Sequence, residues 1–173
     1  AEVRRELEAI GGHAWRTDHS DTEVILHAYS EWGPDCAGRF NGMFAFALYD
    51  KREDELWLCR DRLGIKPLYY AETPNGFFFS SEIKSLLPLL EKSPQINPDA
   101  LVQFLQNQFH TGRDTIFESV KRVMPGEYLV VKNRQISFNQ YWTVTDVRPR
   151  ELTLDQAFEE FEPLFDQVIK LTA

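Results

Sequence analysis

Two short polar stretches hold the residues of this sequence best suited to chemistry. Ser20-Asp21-Thr22-Glu23 sets a serine and an aspartate side by side ahead of an apolar periodic segment, and Arg60-Asp61-Arg62 puts three charges in a row before Gly64. A carboxylate in either place can hold a cation through charge-assisted hydrogen bonds. Each also has a plain structural account. An acid in the first turn of a helix gains about 0.3–1 kcal/mol from the macrodipole alone, and Arg60 with Asp61 can act as an ion pair that fixes a turn. The two cysteines, Cys36 and Cys59, form no C-x-x-C pair and read as small buried hydrophobes. His13, His19, His27 and His110 have no metal-ligand spacing among themselves or with the cysteines, so no metal site is expected.

The elements that must position these residues follow from local signals. Val3, Leu7 and Ile10 make one face of a short helix that stops at Gly11-Gly12. Ser20 followed three residues later by Glu23 predicts a capping box, and the helix it opens runs to Gly33-Pro34. From Met43 to Tyr49 the run is continuously apolar, which predicts a strand covered on both faces. The polar turn at 51–54 leads to a second strand and hence a hairpin. Arg60-Asp61-Arg62 then ends that strand, Gly64 turns, and a new strand restarts at Pro67, where a missing N–H is tolerated. A further hairpin turns at Asn75-Gly76, and another near Asn133. Pro88 stops a short helix, Asn97-Pro98 caps another, and Thr153 with Gln156 makes a second capping box for a helix in which Pro163 should produce a kink or a break.

Composition narrows the classes of function. The 173 residues are 43% hydrophobic and 27% charged, enough for one sizeable core. A formal charge of −8 argues against a nucleic acid or an anionic membrane as partner. No apolar run approaches the roughly 20 residues of a membrane span, and the two-cysteine count fits a reducing, cytoplasmic setting.

Taken together, Gly42 to Asp50, "RDRLGIKPLYY" from Arg60 to Tyr70, and "FFFSSEIKSLL" from Phe77 to Leu87 resemble the glutaminase domain of glutamine-dependent asparagine synthetases. "HSDTEVILHAY" before them and "PGEYLVV" after them are similar as well. The resemblance implies a class II glutamine amidotransferase domain over residues 1–142, followed by a linker and first helix over 143–173 leading towards a synthetase domain. The implied fold is α+β, part of an N-terminal nucleophile hydrolase fold, with antiparallel β-sheets sandwiched by helices. In that family the domain hydrolyses glutamine to glutamate and ammonia, and a second domain uses the ammonia with aspartate and ATP to make asparagine.

The family's nucleophile is an N-terminal cysteine whose own amine is the general base. Residue 1 here is Ala1, and neither Cys36 nor Cys59 carries a free amine. The family's "NGEIYN" oxyanion segment and "SGGLDSS" phosphate loop are absent too, so the resemblance implies a fragment, inactive alone, with no catalytic residue of its own. ATP and magnesium are then expected only in the synthetase domain. Site residues carry over at Asp21, which would hold the α-ammonium of glutamine with Ser20 beside it, and at Arg60 and Glu82, near the domain boundary and ammonia exit. Expected partners are glutamine, the N-terminal segment, the synthetase domain and, through open sheet edges, a second copy in a homodimer. The alternative is a non-catalytic module that binds an amino acid or a protein. An amidotransferase acting on sugar phosphates fits the motifs less well.

Overall fold

The computed structural model describes residues 2–109 and 111–172, so the expectations that fell on Ala1, His110 and Ala173 lie outside the described residues. Two compact units are present, one up to Thr143 and one from Val144.

In the first unit α1 (Glu2–Ile10) is followed by α2 (Asp21–Trp32), which passes at Gly33 into a 3-10 segment, Gly33–Arg39. A four-stranded antiparallel sheet then forms from β1 (Ala45–Asp50), β2 (Glu55–Arg60), β6 (Glu127–Lys132) and β7 (Gln135–Gln140), in the order β1-β2-β6-β7. A second sheet holds β3 (Tyr69–Thr73), β4 (Gly76–Ser80) and the two-residue β5 (Lys121–Arg122), in the order β4-β3-β5. Period-2 alternation sorts the large sheet into two faces. Phe46, Leu48, Trp57, Cys59, Tyr128 and Val130 pack against Leu7, Ala28 and Cys36 of the helical layer. Leu56, Leu58, Leu129 and Val131 pack against Tyr70 and Phe77 of the second sheet. On the outer side of that sheet, α3 (Ile83–Leu86) lies against β3 and β4. The layers therefore run helix, sheet, sheet, helix.

Trp57, 1% exposed, is the centre of the helix-facing core. Tyr29, Phe46 and Tyr128 surround its ring at centroid distances of 5.1, 5.6 and 5.0 Å, and such pairs each add about 0.5–1.5 kcal/mol beyond area burial.

Several sequence expectations need correction. β1 is an edge strand whose second face is covered only in part: Ala45 packs against the inter-sheet cluster, while Ala47 is exposed and Tyr49 is 54% exposed. The turn between β3 and β4 sits one residue earlier than expected, with Thr73 paired to Gly76 across Pro74-Asn75. Proline at the second turn position and glycine at the fourth explain the shift. The third strand begins at Tyr69, two residues beyond Pro67. The turn near Asn133 is as read, with Asn133 and Arg134 at φ 51° and 60°, the geometry of a type I′ hairpin.

Helix α4 (Pro98–Asn107) is capped by Asn97, whose side chain accepts from Ala100 N. In the second unit, α5 (Leu154–Thr172) opens on a complete capping box: Thr153 Oγ1 accepts from Gln156 N, and Gln156 Oε1 accepts from Thr153 N. Pro163 lies inside α5 without ending it. None of the helices is long and apolar enough to cross a membrane among the described residues.

Candidate functional site

Asp21 is the first residue of α2 and is exposed. It lines a cavity of about 200 Å³ together with Val3 of α1, Val24 and Ile25 of α2, and the approach to β1 from Phe40 to Phe44. The walls mix apolar and polar surface, Asn41 included, and Asp21 is the sole charged group on them. The space is smaller than the roughly 300–1,000 Å³ of drug-sized sites, which suits a molecule of amino-acid size. Ser20 faces elsewhere. Its Oγ caps α2 by accepting from Glu23 N at 3.3 Å, and it lines a separate, wider hollow with Thr17, Glu23 and His27.

The capping box expected at Ser20 and Glu23 is only half made. Ser20 N–H goes to Thr17 Oγ1 at 3.2 Å, and the Glu23 carboxylate reaches further back. Its Oε1 accepts from Arg16 N at 2.6 Å, while Oε2 accepts from Thr17 N and Thr17 Oγ1 at 2.9 and 2.7 Å. The Thr17 hydroxyl bond, then the Arg16 amide, hold the Glu23 carboxyl down to about 2. The sequence pattern marked Glu23 as a helix signal but missed this role, because Thr17 and Arg16 are linked to it only once the loop folds.

Arg60 and Asp61 are not paired with each other. The Arg60 guanidinium donates to three carbonyls, Lys66 O, Val123 O and Gly64 O, at 2.8, 2.7 and 2.7 Å. The Asp61 carboxylate, 1% exposed, accepts from Leu63 N, Ile65 N and Lys66 N at 3.2, 2.9 and 2.9 Å. Gly64 sits at φ +66°, and a Cβ there would lie 2.8 Å from Pro125 Cγ. The backbone of Asp61 extends the knot: its N–H donates to Phe44 O, and its carbonyl accepts from Gly64 N and Gly126 N. Phe44 thus links this knot to the wall of the Asp21 cavity. Glu82, at the N-cap of α3, is exposed and pairs with Lys84 at 2.6 Å, a surface contact of small energetic weight. Neither Arg60 nor Glu82 lines the cavity beside Asp21.

Both thiols are buried. Burial pushes the Cys36 thiol up to about 12 and raises Cys59 further, the environment of inert cysteines. No group of three or more His, Cys, Asp or Glu side chains among the described residues could hold a metal ion.

The pocket that Asp21 lines lies on a frame of paired antiparallel sheets between helices, and it is this frame that known proteins share. Residues 1–142 match the glutamine amidotransferase domain, and the chain belongs to that family. Among its relatives, the glutamine-hydrolysing asparagine synthetase 3 of Bacillus subtilis is 33% identical over 169 residues, which is 97% of this chain and 27% of that protein. Asparagine synthetase 1 of the same organism is 35% identical, over 96% of this chain and 26% of its own length. A putative asparagine synthetase 2 of Methanocaldococcus jannaschii is 37% identical over 134 residues, 75% of this chain and 26% of that protein. The chain spans about a quarter of the length of these relatives. Among solved structures, a glutamine phosphoribosylpyrophosphate amidotransferase from B. subtilis, complexed with ADP and GMP, aligns with a TM-score of 0.55 at 18% identity, over 82% of this chain and 26% of that one. The fold is the α+β arrangement of the N-terminal nucleophile hydrolases.

Proposed function

We propose that this chain carries the glutamine-recognising face of a glutaminase domain, with Asp21 holding the α-ammonium group of glutamine in the cavity between α1, α2 and the approach to β1. The observation that carries this reading is the position of Asp21 as the one charged group lining a cavity of amino-acid size. The N-terminus of α2 repels a cation. Of the two first-turn carboxylates, Glu23 is taken up by Arg16 and Thr17 and does not line the cavity, so an ammonium there depends on Asp21.

Hydrolysis needs a thiolate beside a base, and the chain's own two thiols are buried with raised pKa values. In this reading a cysteine-bearing segment preceding the chain supplies the nucleophile, residues 143–173 lead to a synthetase domain, and ATP and magnesium act there rather than here. The ammonia released would serve asparagine synthesis from aspartate in the cytoplasm. Arg60 and Glu82 are assigned to the side of the domain that meets the synthetase. Open sheet edges such as β1 are where a second copy would pair.

Titration of L-glutamine into the ¹⁵N-labelled chain tests the recognition step. Saturable shifts are expected at Asp21, Gly42 and Met43, and glutaramate, which lacks the α-amine, should give none. Asp21→Asn should abolish them, a loss of at least about 2 kcal/mol for one partner of a charge-assisted contact. Equal binding of glutamine and glutaramate, or an unaltered Asp21→Asn titration, would overturn the assignment and favour a non-catalytic binding module.

A further inference from the structure

The cavity beside Asp21 draws its walls from two helices and the approach to β1, and one side chain ties the two helices together through the loop between them. We propose that Glu23 is a positioning residue for this site: by gripping Thr17 it fixes the loop that enters α2, and with it the place of Asp21 against the α1 wall. This rests on the reading of Asp21 as the group that holds the ammonium.

Thr17 is held from three directions. Glu23 takes its N–H and its hydroxyl at 2.9 and 2.7 Å. Arg4 of α1 donates from Nη2 to its carbonyl at 2.6 Å. The Thr17 hydroxyl oxygen accepts from the N–H of Ser20, the residue directly before Asp21. Arg4 is itself steadied by an ion pair with Glu8 at 2.9 Å and by the Trp15 ring 4.2 Å from its guanidinium carbon. Its neighbour Val3 lines the Asp21 cavity. Displacing Thr17 therefore moves the α1 wall and the start of α2 relative to each other.

Helix capping does not account for the Glu23 side chain. The α2 cap is made by Ser20 Oγ and the backbone N–H of Glu23, and it would persist without the carboxylate. Three donors converge on its two oxygens, while His27 Nε2 lies 3.8 Å from Oε1. A carboxylate accepts all three. An amide of the same shape offers one oxygen and turns an NH₂ group on donors it cannot satisfy. Glu23→Gln thus alters the loop with little change in helix propensity or size.

The experiment uses the whole chain and its Glu23→Gln, Thr17→Val and Thr17→Ser variants, titrated with L-glutamine well below their melting temperatures, with amide hydrogen exchange followed at Arg16, Thr17 and Ser20. Glu23→Gln and Thr17→Val are expected to raise the Kd for L-glutamine about tenfold and to speed exchange at Arg16 and Thr17. Thr17→Ser, which keeps the hydroxyl, should restore wild-type affinity. Faster exchange with an unchanged Kd would overturn the proposal and leave Glu23 a purely structural residue. Unchanged exchange would also overturn it, since the loop would not depend on the carboxylate. If the unmutated chain shows no glutamine shifts, the Asp21 reading fails and this proposal fails with it, a pattern distinct from an altered Kd series.

Discussion

Asp61 and Arg60 divide one loop between them, the carboxylate taking its amides and the guanidinium its carbonyls. Gly64 lets that loop close against Pro125. Gly64→Ala combines a left-handed backbone, worth about 1–2 kcal/mol, with overpacking of about 1–3 kcal/mol, so a loss of about 2–5 kcal/mol is expected in urea unfolding. Gly12→Ala is the control: φ is +83° but nothing lies within 4 Å of the added methyl, so only the first part, about 1–2 kcal/mol, applies. Equal losses at the two sites would show that the Pro125 contact is unimportant. Glu23 provides a pH signature. Its folded pKa, about 2, lies below the ordinary 4.5. Its contribution is therefore fully present above pH 4.5 and is lost as pH falls towards 2. The Tm difference between wild type and Glu23→Gln should be largest at pH 5 and above and shrink on acidification. A gap that is constant from pH 6 to pH 2.5 would contradict this. The charges at 60 and 61 were legible as groups that must find partners. That these partners are backbone atoms was not, because a sequence shows charges and hides where amides and carbonyls turn inward.

At the scale of elements, an ion pair with a buried carboxylate and a partly exposed guanidinium joins the loop after α4 to the large sheet. Arg113 donates in a two-pronged contact to Glu127 at 2.8 and 2.6 Å and lies 4.0 Å from the centre of the Phe138 ring. Glu127, 4% exposed, also accepts from Met124 N. Arg113→Met strands a buried carboxylate and should cost about 3–5 kcal/mol. The double replacement Arg113→Met with Glu127→Met removes both charges; the Met124 amide loses its acceptor, at about 1–3 kcal/mol, and the Arg122 carbonyl loses a long contact at 3.4 Å. A double variant no more stable than the single one, in parallel thermal melts, would show that the pair's charges are not the source of the loss. The elements that could be read from sequence are those with local causes: α2 and α4 from Ser20 and Asn97, the hairpin at Asn133-Arg134 from its turn residues. β1 was misjudged because a run of apolar residues announces a strand but not what covers it, and the cover comes from strands more than twenty residues away. Of the kink or break expected at Pro163, the break does not occur, because the surrounding helix continues through it. Asp21 was singled out through a family pattern, and Glu23 was read only as a helix start.

On the scale of the molecule, two aromatic-rich layers meet across a sheet whose β1 edge stays open, and the matched family covers residues 1–142. The helices, hairpins and Thr17 knot are local, built from residues a few positions apart. Asp61 is different: it binds Phe44 on one side and Gly126 on the other, closing chain loops of very different length through one residue. Loop closure over such separations opposes early formation, so this knot should tie after the hairpins have paired. The consequence is kinetic. Interactions absent from the folding transition state govern the rate of unfolding and leave the rate of folding nearly untouched. In stopped-flow urea experiments Arg60→Met, which removes the knot's side-chain tie to Val123 O, should raise the unfolding limb by about tenfold or more while the refolding limb stays in place. A slowed refolding limb would put the knot in the nucleus instead. The knot of Arg60 and the Asp61 backbone is thus expected to set how long the native fold, and the Asp21 cavity that Phe44 borders, endures once formed.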